Sequence, residues 1–194
     1  YFVITAALFV LCVSFIEPVI MKDVNIIKVL PVLLCYAALL MGILALSRRL
    51  SERILHCLII AGMFLAVIVQ IYIVLNMQLI PKVDLNHIYA KCVNMVETGK
   101  NTFSGSKYFA YNTNNIPLAI VIYYVFRIAA FAGVNYRIAG GLFNVLLIFI
   151  MYASAFLILK KVTTIRTTAV YMAVLLTNPA FYAYAPYYYT DTIS

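Results

Sequence analysis

Long apolar runs alternate with short polar turns along most of this chain. A helix that crosses the hydrocarbon of a bilayer needs about 20 mostly apolar residues, and runs of about that length recur. The pattern predicts spans over residues 1–20, 29–46, 54–76, 139–159 and 168–187. Pro31 falls in the first turn of the second, where a missing amide proton costs little. Asn178-Pro179 and Pro186 predict that the last is kinked or partly unwound. The middle of the chain differs. Val83, His87, Ile88, Cys92, Val93 and Val96 form a weak helical stripe, which predicts a helix over 83–98 ended by Gly99. Residues 101–115 read as loop. Residues 116–133 are apolar but carry Arg127 in their middle.

Composition narrows the class. The chain is 66% hydrophobic and 10% charged, against roughly a quarter charged in average globular domains. That excludes a soluble domain. The continuity of the runs argues against a β-barrel, whose strands alternate over short segments. The expectation is an all-α, polytopic helical membrane protein of about five transmembrane helices, with residues 1–194 forming a single transmembrane domain. No internal repeat or low-complexity tract is evident. The first run lacks a basic leader and a small-residue cleavage site, so it reads as a span and not a signal peptide. It begins at Tyr1 without Met, which predicts a fragment of a longer protein. The net charge of +8 comes from Lys and Arg scattered around the apolar runs, which points away from nucleic acid and toward membrane lipids. Cys12, Cys35, Cys57 and Cys92 show no metal or redox spacing, so neither disulfides nor structural zinc are expected.

Charge also sets sidedness. Basic residues in short loops mark the cytoplasmic face, and the two basic clusters are Arg48/Arg49/Arg53 and Lys160/Lys161/Arg166. With both inside, residues 77–138 become a large external loop carrying amphipathic or interfacial helices. Residues 116–133 then have both ends outside and are expected to lie in the interface, where Arg127 snorkels to the headgroups. Mid-bilayer Arg would cost about 2.5 kcal/mol or more. A rival reading makes 116–133 a sixth span. In the five-span reading Asp84 and Asp191 both reach the outer face, in the bacterial cytoplasmic (plasma) membrane.

The order of short motifs along residues 54–194 carries a resemblance. An acid and a Tyr follow a span (Asp84, Tyr89), then come a short helix ended by Gly99 and the stretch Tyr111-Asn112-Thr113-Asn114-Asn115-Ile116-Pro117-Leu118. An interfacial helix and an Arg at the mouth of the next span (Arg137) follow, and the chain closes on Tyr187-Tyr188-Tyr189-Thr190-Asp191. This resembles the polytopic GT-C glycosyltransferases, in particular the dolichyl-phosphate-mannose–protein mannosyltransferase-like branch. The resemblance implies transfer of a sugar from a polyprenyl-phosphate-linked donor to an acceptor, of identity unknown, on the extracytoplasmic face. It implies a base for the acceptor hydroxyl, for which Asp84 is the candidate, and cations for the leaving phosphate. Arg137, Lys91 and Lys107 are the candidates there. Asp191 would orient hydroxyls or help hold a divalent metal (Mg or Mn); no other cofactor is called for. Tyr89, Tyr111, Asn115 and Tyr189 are candidate substrate contacts.

Each residue has a structural reading beside the chemical one. Asp84 suits a helix N-terminus, the terminal tyrosines suit an interfacial aromatic belt, and Asn114 and Asn115 suit a turn. A membrane transporter or lipid flippase, or a non-catalytic membrane subunit, are the competing functions. Transporters favour midplane charges, broken helices and repeats; of these the sequence offers the Asn178-Pro179 break.

Overall fold

The structure, a computed structural model, describes residues 26–77 and 83–188, with side chains over 34–77 and 85–188. The expected span over 1–20, Tyr189 and Asp191 lie outside these residues. So does the Asp84 side chain, although its backbone is described. The regular structure of the described residues is all helical, without a strand. This is a helical membrane protein.

The contacts divide the chain into two units, 1–45 and 46–194. The first supplies the body of α1 (Ile26–Arg49), which ends on Arg48 and Arg49, cations at the negative end of the helix dipole. In the second unit follow α2 (Glu52–Asn76), α3 (Val83–Thr98), α4 (Lys107–Tyr111), a 3-10 turn (Thr113–Asn115), α5 (Ile116–Phe131), α6 (Tyr136–Val162), α7 (Ile165–Leu176) and α8 (Pro179–Ala183). Local chemistry sets the starts. Ser51 caps α2 by accepting from the Ile54 amide at 3.4 Å, Thr164 caps α7 through the Thr167 amide at 3.3 Å, and Asn178 caps α8 through the Ala180 amide at 3.0 Å. The α3 helix ends where the pattern placed its end. Gly99 takes φ 69°, a left-handed turn that a side chain resists.

Among the described residues, three helical stretches are long and apolar enough to cross a membrane: Glu52–Asn76, Thr113–Phe131 and Tyr136–Val162. Two expectations meet a different geometry. Residues 101–115, expected as loop, contain α4 and the 3-10 turn, because Phe109 is an apolar anchor buried between Phe103 and Tyr108. The expected span over 168–187 is α7, only 12 residues long, then a break at Thr177-Asn178-Pro179 and the short α8. Proline at the start of α8 removes the amide that would have continued α7.

Two packing centres organise the second unit. In one, α2, α6 and α7 bury Ile59, Met63, Ala66, Ile148, Tyr152, Ala169 and Met172. In the other, α5 packs against α3 and α6, burying Leu85, Ile88, Cys92, Leu118, Ile122 and Phe126. The exposed side of α3 carries Asn86, Asn94 and Glu97. The exposed side of α5 carries Ile120, Tyr124, Ile128 and Phe131, with Arg127 among them.

Candidate functional site

The site is built at the mouth of α6. Asn135 caps that helix by accepting from the Arg137 amide at 2.8 Å, which fixes Arg137 in the first turn. A cation there opposes the positive end of the helix dipole, so its position needs a compensating contact. Tyr89 of α3 supplies one: the Arg137 guanidinium carbon lies 5.9 Å from the centre of the Tyr89 ring, within cation–π range. No ion pair joins Arg137 to a carboxylate among the described residues.

Tyr89, Tyr136 and Tyr188 surround the fully buried Phe126. Their ring centres lie 5.6, 5.2 and 6.0 Å from it, the first and last edge-on. Tyr188 is buried, and its hydroxyl has no hydrogen-bond partner among the described residues. Burial pushes that hydroxyl's pKa well up, with Tyr89 and Cys92 adding to the rise and Arg137 opposing it. Arg137, Tyr89 and Tyr188 therefore form one cluster from three chain segments. Asp84 is on the same helix as Tyr89, five residues earlier, a rise of about 7.5 Å along the axis. Asp191 is three residues beyond Tyr188 in sequence.

The other sequence candidates go elsewhere. Asn115 is buried and donates to the Tyr108 hydroxyl at 2.6 Å while accepting from Asn114 at 3.3 Å, so it locks the turn into α5. Tyr108 in turn stacks on His87, ring centres 4.6 Å apart. Tyr111 is 87% exposed and Lys107 is exposed beside it on α4. Lys91 is half-buried on α3, and its carbonyl receives the Thr102 hydroxyl at 2.9 Å. Among the described residues no three His, Cys, Asp or Glu side chains gather as a metal site.

Comparison with protein-family models, with curated proteins and with solved structures finds no match.

Several structurally decisive residues were not singled out in the sequence. Gln70 is completely buried in α2; its amide donates to the Phe181 carbonyl at 3.3 Å and the Tyr152 hydroxyl at 3.4 Å. Asn144 is buried in α6 and donates to the carbonyls of Tyr184 and Ala185 at 3.0 and 3.2 Å. Two amides from neighbouring helices thus hold α8 and the turn after it against the bundle. The amide oxygens of both remain unpartnered among the described residues. The signal was a lone polar residue within each apolar run, the usual mark of interhelical bonding in membranes. Gly140 and Gly141 carried a similar signal, small residues where another segment approaches closely.

Proposed function

We propose that this chain is the membrane-embedded part of a GT-C-type glycosyltransferase, moving a sugar from a polyprenyl-phosphate donor to an acceptor at the extracytoplasmic face. The observation that carries the reading is the Arg137–Tyr89–Tyr188 cluster. It holds a cation with no carboxylate partner among the described residues at the start of the span-length α6, against Tyr89 of α3, the helix that bears Asp84. Sidedness with the basic clusters inside supports an outer location. The polar outer side of α3, packed along α5, fits a water–lipid boundary.

In the proposed reaction Asp84 takes the proton from the acceptor hydroxyl. A new C–O bond forms at the anomeric carbon as its bond to the phosphate oxygen breaks. The phosphate leaves with the electron pair, and Arg137 stabilises the developing charge. Asp191 orients hydroxyls of the sugar or acceptor, or would help hold a divalent metal (Mg or Mn).

The test is sugar transfer from a labelled polyprenyl-phosphate sugar in membranes. Asp84→Asn is expected to abolish it at normal expression. Arg137→Ala is expected to lower it about 10²-fold or more, the scale seen when one preorganised charge-stabilising group is removed. Unchanged transfer in Asp84→Asn removes the base from the proposal. Cysteines placed at Ser106 and Thr192 are expected to label from the same side of sealed vesicles; labelling from opposite sides overturns the shared outer face.

The second reading, a transporter or lipid flippase, is favoured by the break at Asn178-Pro179 and by the buried amides with unpartnered oxygens. Transbilayer lipid movement that survives Asp84→Asn but not Asn144→Leu would select it.

A further inference from the structure

The two basic loops, far apart in sequence, meet at one end of the α2–α6–α7 bundle. Leu50 and Leu55 pack in the same cluster as Phe156, Leu159 and Ile165. His56 meets Phe156 edge-on, ring centres 6.1 Å apart. These contacts close residues 47–56 against residues 156–166. Arg48, Arg49, Arg53, Lys160, Lys161 and Arg166 are all exposed there, with Glu52 the one acid in the two loops. The N-termini of α2 and α7, capped by Ser51 and Thr164, lie in this end and add their positive dipole ends.

Ile54, next to Arg53, is 47% exposed, and Val162, next to Lys161, is 71% exposed. Leu46, Leu157 and Ile158 are exposed apolar residues on the same end. Charge at the tip with apolar surface immediately behind it matches a ligand that has an anionic head and an acyl tail. A soluble anion has no use for the apolar part.

We propose that this end is a docking surface for anionic phospholipids, their phosphates held jointly by the two basic loops and their chains lying on the apolar sides of α2 and α6. The inference is independent of the sugar-transfer reading. Each Lys or Arg near an anionic leaflet strengthens attraction by about fivefold, so removing three from one loop is expected to weaken lipid retention by about 10²-fold.

The full chain in neutral detergent is titrated with phosphatidylglycerol or phosphatidylcholine, and bound lipid is counted by native mass spectrometry. Phosphatidylglycerol is expected to be retained at least about tenfold more tightly, and less so as salt rises. The triple variants Arg48→Gln/Arg49→Gln/Arg53→Gln and Lys160→Gln/Lys161→Gln/Arg166→Gln are each expected to lose that preference. Arg48→Lys/Arg49→Lys/Arg53→Lys keeps the charge and is expected to keep the preference, which separates charge from folding. Lys100→Gln, away from this end, is expected to leave the lipid preference as it was. Equal retention of the two lipids overturns the proposal, as does undiminished preference in both Gln triples. Displacement of the lipid by millimolar inorganic phosphate also overturns it, since that would mark a plain anion site.

Discussion

The ring of Tyr188 lies directly on the bare backbone of Gly140. A β-carbon built there would fall against Cδ1 and Cε1 of that ring and 2.9 Å from its Cζ. This contact seats the segment leading to Asp191 at the mouth of α6. Gly140→Ala is therefore expected to displace Tyr188 and to destabilise the fold by about 1–3 kcal/mol, the range for overpacking a filled core. Unfolding in mild detergent measures it. Adding Tyr188→Leu should recover part of the loss; no recovery would mean that the alanine clashes elsewhere.

One residue on, a β-carbon at Gly141 would come 2.7 Å from Cγ1 and 3.1 Å from Cγ2 of Val74 on α2. Gly141→Ala is expected to push α2 and α6 apart, again by about 1–3 kcal/mol. Val74→Ala should relieve the clash, so the two changes should couple in a double-mutant cycle. Additive effects would place the strain outside this helix pair.

Asn144→Leu strips the partner from the carbonyls of Tyr184 and Ala185. Interhelical side-chain bonds in membranes average about 0.6 kcal/mol, but these carbonyls lie in unwound chain. The expected loss is thus nearer the 1–3 kcal/mol of a stranded buried group. Gln70→Leu should act alike through Phe181. Limited proteolysis between Thr177 and Tyr188 is expected to speed up in both variants before global unfolding does. A cleavage rate unchanged in both would show that the amides do not hold the segment.

Burial pushes the Cys92 thiol from 9.0 up to about 12; it donates to the Ala119 carbonyl at 3.2 Å. The folded state keeps this proton at pH values where the unfolded chain has lost it. Its contribution to stability is thus present below about pH 9 and falls as pH rises from there toward 12. With Cys12, Cys35 and Cys57 replaced by Ser, Cys92 should resist maleimide in the folded protein at pH 8 and react once unfolded. Rapid labelling of the folded protein would contradict its burial between α3 and α5.

Much of the helix pattern was legible in the sequence. The stripe from Val83 to Val96 gave α3, and Gly99 its end, because periodicity and a left-handed glycine are local properties. The break at Asn178-Pro179 was legible for the same reason. The helix at Lys107–Tyr111 was not, since five residues carry too little periodicity and depend on Phe109 finding a pocket. The candidate site was half legible. Arg137 stood out as a cation at the mouth of a span and Tyr89 as the aromatic that follows Asp84, but nothing in the spacing said that they touch. Asn115, a candidate contact, turned out to be bound to Tyr108. Gln70 and Asn144 passed unnoticed because each is one polar residue in a long apolar run, and its partner is a backbone carbonyl more than 35 residues away.

By itself the sequence determined the solvent. Apolar runs of span length and few charges leave a helical membrane protein as the form in which every backbone group is satisfied within lipid. Tertiary structure decided which side chains meet. Tyr188 on Gly140, Arg137 over Tyr89 and the two basic loops at one bundle end each join segments distant in the chain. Such pairings follow from the shapes of packed helix faces, and no local rule of sequence encodes them.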